Sequence, residues 1–139
     1  MLSYIAVAQH YENQAPAAFL RFMNHHGVSR PNTCAVRLAY ALRSARSRFF
    51  IGVEARSGVE WRDLPTRAAD LAIILNRRLG RPTLIRGEAD IQGRRGIVFF
   101  DTIVGFSGTG HISLWNGARV ADGGSYFRSS PRVYFWPLR

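Results

Sequence analysis

The sequence predicts an α+β fold in which N-terminal helices pack on a C-terminal antiparallel β-sheet. Up to Gly80, apolar side chains recur at helical spacing and are interrupted by Gly and Pro, which end helices. After Gly80, short runs rich in Val, Ile, Phe and Trp are separated by turns that contain Gly and Asn, a pattern typical of strands. Because such turns reverse the chain, we expect an antiparallel sheet that forms one layer and helices that form the other.

The length and composition of the chain limit its class. Its 139 residues, of which 47% are apolar, are enough to bury a core, so we expect a single domain over residues 1–139. The longest apolar runs, at residues 71–75 and 97–100, are too short to cross a bilayer, so no membrane insertion is expected. Residues 1–14 lack the charged start and the apolar centre of a secretory signal, and we expect none.

The chain is strongly basic, with 19 Arg, no Lys and 9 acidic residues, which gives a formal net charge of +10. A surface of this sign attracts polyanions, which leaves nucleic acid, an anionic cell-wall polymer or an acidic protein as partners. A basic nucleic-acid-binding domain with no catalysis is therefore one alternative function, although no recognised nucleic-acid motif is present. His25 and His26 are adjacent and would point about 100° apart on a helix, so we expect no metal or cofactor.

Three helices are predicted before Gly80. Residues 1–13 are expected to be an irregular lead-in to the first helix, which runs from Pro16 to about His26. The third helix opens at Asp63-Leu64-Pro65-Thr66, carries basic residues in its last turn and ends at Gly80. Phe49–Trp61, which precedes it, has no clean period and is predicted to be a long loop.

The second predicted helix, from about Thr33 to Ser47, contains the single cysteine of the chain. Four of its residues fall at i, i+3, i+4 and i+7 and predict one buried stripe: Ala35, Leu38, Ala39 and Leu42. Asn32 or Thr33 can cap its start, because a short polar side chain accepts hydrogen bonds from free backbone N–H groups. Arg37 lies off the stripe and is expected to be solvated.

The C-terminal part of the chain is predicted to form strands at Thr83–Ile85, Gly96–Asp101, His111–Trp115, Arg119–Asp122 and Val133–Trp136. The strand at residues 96–101 is apolar without alternation, which indicates burial on both faces. Asn116-Gly117 is a strong signal for a two-residue hairpin turn, so the strands on either side of it are expected to pair.

Cys34 is a candidate nucleophile because it is expected in the first turn of the second helix. The partial positive charge of a helix N-terminus favours the thiolate, which is the nucleophilic form of cysteine. A lone cysteine is more often a small buried hydrophobe. The catalytic interpretation therefore needs a base and an orienting group elsewhere in the chain.

The predicted hairpin places a histidine beside a carboxylate. If Asn116 and Gly117 are the two turn residues, Trp115 faces Ala118 across the turn. Counting outward in pairs then places His111 opposite Asp122. Opposed side chains point to the same side of a sheet, with Cβ atoms ~4.5–5.5 Å apart. A carboxylate in that position fixes the imidazole tautomer and leaves the other ring nitrogen as a base. Cys34, His111 and Asp122 are thus the candidate catalytic residues.

Two parts of this candidate site have alternatives. Asp101, at the end of the preceding strand, is a second candidate for orienting His111, although no spacing ties the two residues together. The backbone N–H of Cys34 is the first candidate for an oxyanion donor, and the side-chain amide of Asn32 is the other.

Two blocks of sequence resemble the amidase effectors of type VI secretion systems. The first is Asn32-Thr33-Cys34-Ala35, followed by Arg37-Leu38, and the second is Gly110-His111-Ile112-Ser113-Leu114-Trp115-Asn116-Gly117. They are similar to the N-T-C-A and G-H-x-x-L-W-[ND]-G blocks of the fourth family of these effectors, and the third family stays open.

This resemblance implies a papain-like fold of the NlpC/P60 type and a cysteine amidase that cuts peptidoglycan stem peptides. Cys34 would be its nucleophile, His111 its base and Asp122 its third member. Such a toxin is made in the cytoplasm, delivered by the type VI secretion apparatus to the periplasm of a rival cell, and blocked by a cognate immunity protein. The fourth family implies cleavage between D-glutamate and diaminopimelate, and the third implies cleavage of the diaminopimelate–D-alanine cross-link. A housekeeping wall hydrolase or an acyltransferase of the same fold is the remaining alternative.

Overall fold

The structure, a computed structural model, describes residues 2–12, 34–46, 48–50, 67–105 and 110–139. In chain order these residues form helices α1 (Tyr4–Glu12), α2 (Cys34–Ala45) and α3 (Ala68–Leu79), strand β1 (Thr83–Ile85), a short 3-10 helix (Glu88–Ile91), and strands β2 (Gly96–Asp101), β3 (His111–Trp115) and β4 (Arg132–Pro137). Helices precede strands, as the α+β prediction requires. None of the helices in these ranges is long and apolar enough to cross a membrane.

The four strands form one antiparallel sheet in the order β1-β4-β2-β3. β2 lies between β4 and β3, and Phe100 on β2 has Val133 on one side and His111 on the other. β3 therefore lies at one end of this strand order, and His111 is its first residue. Four of the five predicted strands are confirmed, and β4 extends one residue beyond its predicted bounds at each end.

Both faces of β2 are covered, as its uninterrupted apolar sequence predicts. Ile97 and Phe99 belong to a core that also contains buried side chains of α1, α2 and α3. Val98 and Phe100 point to the opposite face, where a second buried cluster contains Ile85, Ile91, Ile103, Trp115, Val120, Val133 and Phe135. The sheet is thus a buried layer between the helices and the segments that surround the 3-10 helix.

The prediction of an irregular start is wrong, because residues 4–12 form α1. Four residues at i, i+3, i+4 and i+7 lie on its inner face, and all are buried: Tyr4, Val7, Ala8 and Tyr11. Ser3 Oγ accepts a hydrogen bond from the backbone N–H of Ala6, 3.2 Å away, which satisfies one free donor of the first turn. The N–H of Tyr4 donates to the carbonyl oxygen of Arg139 at 2.6 Å, so both ends of the chain lie together.

The prediction of a return strand at Arg119–Asp122 is also wrong. A single bridge joins Trp115 to Val120, and no strand is formed there. The N–H of Ala121 donates to the carbonyl oxygen of Leu114 at 2.8 Å, which continues the same register for one further pair. The pairing is therefore displaced by two residues from the one that a two-residue turn would give.

The side chain of Asn116 explains this displacement. Its Oδ1 accepts hydrogen bonds from the backbone N–H groups of Ala118 and Arg119, each at 2.9 Å. The N–H of Asn116 also donates to the carbonyl oxygen of Arg119 at 3.1 Å. These bonds stabilise a loop of four residues instead of a two-residue turn, since an Asn side chain can close an Asx turn on the backbone that follows it.

The predicted second helix is confirmed as α2, and Ala35, Leu38, Ala39 and Leu42 are fully buried. The end of the third predicted helix is confirmed at Gly80, whose N–H donates to the carbonyl oxygen of Asn76 at 3.1 Å. Other predictions fall outside the described residues: the helix at Pro16–His26, the cap at Asn32 or Thr33, the helix opening at residues 63–66, and most of the loop at Phe49–Trp61.

Candidate active site

Cys34 is the first residue of α2, where backbone N–H groups have no partners inside the helix and carry positive partial charge. The residues that follow it anchor the helix, because Ala35, Leu38 and Ala39 are fully buried in contact with α1 and β3. Cys34 itself is half-buried. The thiol therefore lies at the margin of the core, not inside it.

His111 begins β3 directly after Gly110, which has a φ of +96° and lies against the backbone of Phe100. A side chain on Gly110 would collide with that backbone, so glycine is required at this position. The imidazole of His111 packs against the ring of Tyr126, with ring centroids 5.2 Å apart, and lies 6.2 Å from the ring of Phe100. These contacts hold the imidazole against the aromatic rings of Tyr126 and Phe100.

The carboxylate of Asp122 lies beside His111, with Oδ2 2.8 Å from Nε2 and both side chains about one-seventh exposed at 14% and 13%. The oxygen lies off the direction of the Nε2–H bond, so the contact is a close ion pair and not a well-aligned hydrogen bond. Such bonds often align only when substrate is bound. Because Nε2 faces Asp122, Nδ1 is the nitrogen left for Cys34, which lies close enough to His111 to raise the pKa of the imidazole.

The two partners alter each other's titration. Burial alone would lower the pKa of His111, but the contacts with the Asp122 carboxylate and with Cys34 outweigh it and raise the pKa from 6.5 to about 9. Burial alone would raise the pKa of Asp122, but His111 and the Gly124 N–H hold it below its usual value. His111 is therefore a cation and Asp122 an anion at neutral pH.

Two further residues hydrogen-bond to Asp122, and the nearby Ser113 hydroxyl also lowers the pKa of its carboxyl. Its Oδ1 accepts a hydrogen bond from the backbone N–H of Gly124 at 2.9 Å. The hydroxyl of Tyr11, on α1, donates to Oδ2 at 3.5 Å and lies 3.1 Å from Oγ of Ser113. Tyr11 and Ser113 are both fully buried.

Arg37 is not the solvated residue that the sequence led us to expect. Its side chain is half-buried, and its guanidinium carbon lies 4.0 Å from the centre of the Tyr11 ring. One of its Nη atoms donates to the carbonyl oxygen of Tyr11 at 3.3 Å. The reason is geometric, since an aromatic face on the neighbouring helix is a favourable site for a guanidinium.

Sequence reasoning missed Tyr11, Ser113 and Arg37 as members of this cluster, although two of them left a signal. Tyr11 completes the buried stripe of α1, and a buried tyrosine hydroxyl requires a hydrogen-bond partner. Ser113 is a polar residue inside an apolar strand and shares the face of His111, because strand residues alternate. Nothing in the sequence pairs Arg37 with Tyr11.

The alternative orienting residue, Asp101, is occupied elsewhere, because its carboxylate lies 3.2 Å from the guanidinium of Arg132. Asn32, the candidate amide for an oxyanion hole, falls outside the described residues. Within the described ranges, no group of three or more His, Cys, Asp or Glu side chains is placed to hold a metal ion. The candidate site therefore consists of Cys34, His111 and Asp122 with the side chains that surround them.

A family model for type VI secretion system amidase effector protein 4 (Tae4) matches residues 31–136, which is most of the chain. The chain belongs to this family. The prediction of the fourth family is therefore confirmed. The part of this chain that matches the Tae4 family model includes Cys34, His111 and Asp122.

Solved structures of Tae4 proteins share the fold. The Tae4–Tai4 effector–immunity complex from Enterobacter cloacae matches with a TM-score of 0.69 and 21% identity, covering 100% of this chain and 99% of that chain. Tae4 from Enterobacter cloacae alone gives 0.68 and 20%, covering 100% and 98%. Tae4 from Salmonella typhimurium, in complex with the immunity protein Tai4 from Enterobacter cloacae, gives 0.65 and 18%, covering 100% of both chains. No curated protein matches this chain.

Proposed function

We propose that this Tae4-family chain is a cysteine amidase that hydrolyses peptidoglycan stem peptides. The observation that carries the proposal is the cluster at the start of α2, where Cys34 lies close enough to His111 to raise the pKa of the imidazole and His111 lies 2.8 Å from Asp122. A nucleophile, a base and an orienting carboxylate in this order are the parts that acyl transfer needs. The arrangement of a cysteine helix against a β-sheet histidine supports the papain-like, NlpC/P60 type of fold.

The chemical step follows from this geometry. The Cys34 thiolate, paired with the protonated His111, attacks the carbonyl carbon of the scissile peptide bond. The oxyanion that results is stabilised by the backbone N–H of Cys34 at the helix N-terminus. His111 then gives the proton to the leaving amine, and a thioester remains on Cys34. Finally His111 removes a proton from water, which attacks the thioester, releases the carboxylic acid and restores the Cys34 thiolate beside the protonated His111.

We further propose cleavage of the bond between D-glutamate and diaminopimelate, because the chain belongs to the fourth effector family. The alternative bond is the diaminopimelate–D-alanine cross-link. The chain would be made in the cytoplasm, delivered by the type VI apparatus and active in the periplasm of the target cell. Its net charge of +10 suits both an anionic wall and an acidic immunity protein, and Tae4 proteins have been crystallised with Tai4.

The proposal is tested by digesting purified Gram-negative peptidoglycan with the wild-type protein and with Cys34→Ala, followed by mass spectrometry of the soluble fragments. We expect new fragments from the wild type only. Cleavage after D-glutamate leaves fragments that end in D-glutamate, whereas cleavage of the cross-link leaves a carboxyl-terminal D-alanine on one stem and a free amine on the diaminopimelate of the other. The masses therefore identify the bond.

Cys34→Ala should retain the thermal unfolding midpoint of the wild type within a few degrees, because Cys34 is only half-buried. Lysis by a folded Cys34→Ala protein would exclude the cysteine mechanism. Failure of the wild type to release fragments, beside an active control amidase, would exclude the proposed substrate.

A further inference from the structure

The proposed mechanism assigns no task to Tyr11, the fully buried tyrosine whose hydroxyl lies 3.1 Å from Ser113 Oγ and 3.5 Å from Asp122 Oδ2. We propose that Tyr11 is a positioning residue, whose hydroxyl fixes the Asp122 oxygen that faces His111. The inference rests on the proposed function, since it gives Asp122 the task of orienting the base. Tyr11 itself touches neither the nucleophile nor the scissile bond.

The hydrogen bonds of the Asp122 carboxylate account for this role. An ionised carboxylate only accepts, and it rotates about its last single bond unless donors hold both oxygens. The backbone N–H of Gly124 holds Oδ1 at 2.9 Å, and Oδ2 faces His111. The Tyr11 hydroxyl gives Oδ2 a donor that does not depend on the protonation or the movement of the imidazole. Burial of Tyr11 raises its pKa above the usual value, so this donor keeps its proton over the working pH range.

The helix that carries the nucleophile also holds Tyr11. Arg37 lies three residues after Cys34, one turn further along α2, and its guanidinium lies 4.0 Å from the centre of the Tyr11 ring. An Nη atom of Arg37 donates to the Tyr11 carbonyl oxygen at 3.3 Å. Through Tyr11, α2 is therefore connected to Asp122. This connection fixes the position of the helix that carries Cys34 relative to the carboxylate that faces His111.

A change in the titration of Asp122 would report this role directly. The groups that face Asp122 are His111 and the Ser113 hydroxyl from β3, the Gly124 N–H, Tyr11 from α1 and, beyond them, Cys34 and Arg37 from α2. A hydrogen bond donated to a carboxylate stabilises its charged form, so removing the Tyr11 hydroxyl should raise the pKa of Asp122. A role in packing alone would leave that pKa where it is, because Tyr11→Phe keeps the ring.

The test compares wild type, Tyr11→Phe and Tyr4→Phe by carbon-13 NMR of aspartate-labelled protein, with the Asp122 carboxyl signal assigned from Asp122→Asn. Tyr4 is the matched control because it is buried on the same helix, roughly 10 Å before Tyr11 along the axis, and has the Arg95 guanidinium carbon 5.1 Å from its ring centre. We expect the pKa of Asp122 to rise by about half to one pH unit in Tyr11→Phe, the size of one lost hydrogen bond. Tyr4→Phe should leave it unchanged.

An Asp122 titration that is the same in Tyr11→Phe and in wild type would overturn the proposal. If Tyr11→Phe does not fold, wild-type protein labelled with carbon-13 in its tyrosine rings decides the question. The Tyr11 signal should shift at the pH where Asp122 titrates while the Tyr4 signal does not, and a Tyr11 signal that does not follow that titration would again overturn the proposal.

Kinetics on peptidoglycan add a second result. Tyr11→Phe should lower kcat by about 3- to 10-fold with little change in KM, because the hydroxyl acts on the catalytic base and not on substrate binding. An unchanged kcat in a folded Tyr11→Phe protein would count against the proposal. The NMR titration needs no substrate, so a wild type that fails to cut peptidoglycan would refute the proposed function while the role of Tyr11 is still decided.

Discussion

Gly124 shows how little free space surrounds the His111–Asp122 pair. A Cβ at Gly124 would lie 2.9 Å from His111 Nε2 and 3.2 Å from both Asp122 Oδ1 and the Tyr126 ring. Its backbone is in a region open to any residue, so the requirement for glycine is set by the side chains around it. Gly124 supports the His111–Asp122 pair in two ways. Its lack of a side chain leaves room for the pair, and its N–H donates a hydrogen bond to the Asp122 carboxylate.

We expect Gly124→Ala to lower kcat by about 10- to 100-fold, because a displacement of a catalytic group by a fraction of an ångström misaligns the base. The free energy of unfolding should fall by about 1–2 kcal/mol, the usual effect of overpacking. Peptidoglycan digestion rates and urea unfolding measure the two effects. Gly87→Ala is the control, since Gly87 has an extended backbone and open space around it. Wild-type kcat in Gly124→Ala would show that the pair tolerates displacement.

The core of the candidate site was predictable because it depends on local chemistry. Cys34 begins a helix that apolar spacing predicts, and strand alternation alone puts His111 and Asp122 on one side of the hairpin. The predicted register was wrong by two residues, yet a shift of two preserves the face, so the pair still meets diagonally. Tyr11 and Arg37 reach the site through helix packing, which depends on distant contacts that no local pattern encodes.

At the level of elements, α1 shows why tertiary packing can decide whether a helix forms. It has only nine residues, and isolated helices of that length are unstable in water. Its buried face packs on α2, and its first N–H groups bond to Ser3 and to the carbonyl oxygen of Arg139. The sequence contained the apolar spacing of residues 4, 7, 8 and 11, but neither a proline nor a glycine marked the ends of the helix. In contrast, β2 could be predicted from its own sequence, because a short uninterrupted apolar run is typical of a strand buried on both faces.

We expect Val7→Ala to lower the free energy of unfolding by about 1.5–3 kcal/mol, because it removes two methyl groups from a fully buried position of α1. Ile5→Ala is the matched control on the same helix, and it should change stability by less than about 0.5 kcal/mol because Ile5 is 63% exposed. Urea unfolding followed by circular dichroism compares the two. Equal effects of the two substitutions would mean that α1 contributes little to the cooperative core.

For the molecule as a whole, the ion pair makes stability depend on pH in two opposite directions. The unfolded chain holds His111 near its usual pKa of 6.5, whereas the folded chain raises it to about 9. The imidazolium therefore stabilises the fold fully below about pH 6.5, and this contribution is lost as the pH rises through 9. Asp122 acts in the opposite direction, because its pKa is lower in the folded chain and its contribution is lost only in acid, as the pH falls through that lowered value.

We expect the stability difference between wild type and His111→Gln to be constant at pH 5–6 and to shrink between pH 6.5 and 9, because over that range the unfolded chain has already released the proton that the folded chain keeps. Titratable groups away from the site are common to both proteins and cancel in the difference, so the slope belongs to His111 and its partners. Urea unfolding at half-unit intervals of pH measures this stability difference.

A stability difference that stays level across pH 6.5–9 would show that His111 is neutral in the folded protein at the upper end of that range. The proton would then have to be supplied by Cys34 at each turnover, and activity should persist unchanged above pH 9. The same series on Asp122→Asn separates the two partners, because removal of the carboxylate should bring the pKa of His111 down and move the onset of the loss toward neutral pH.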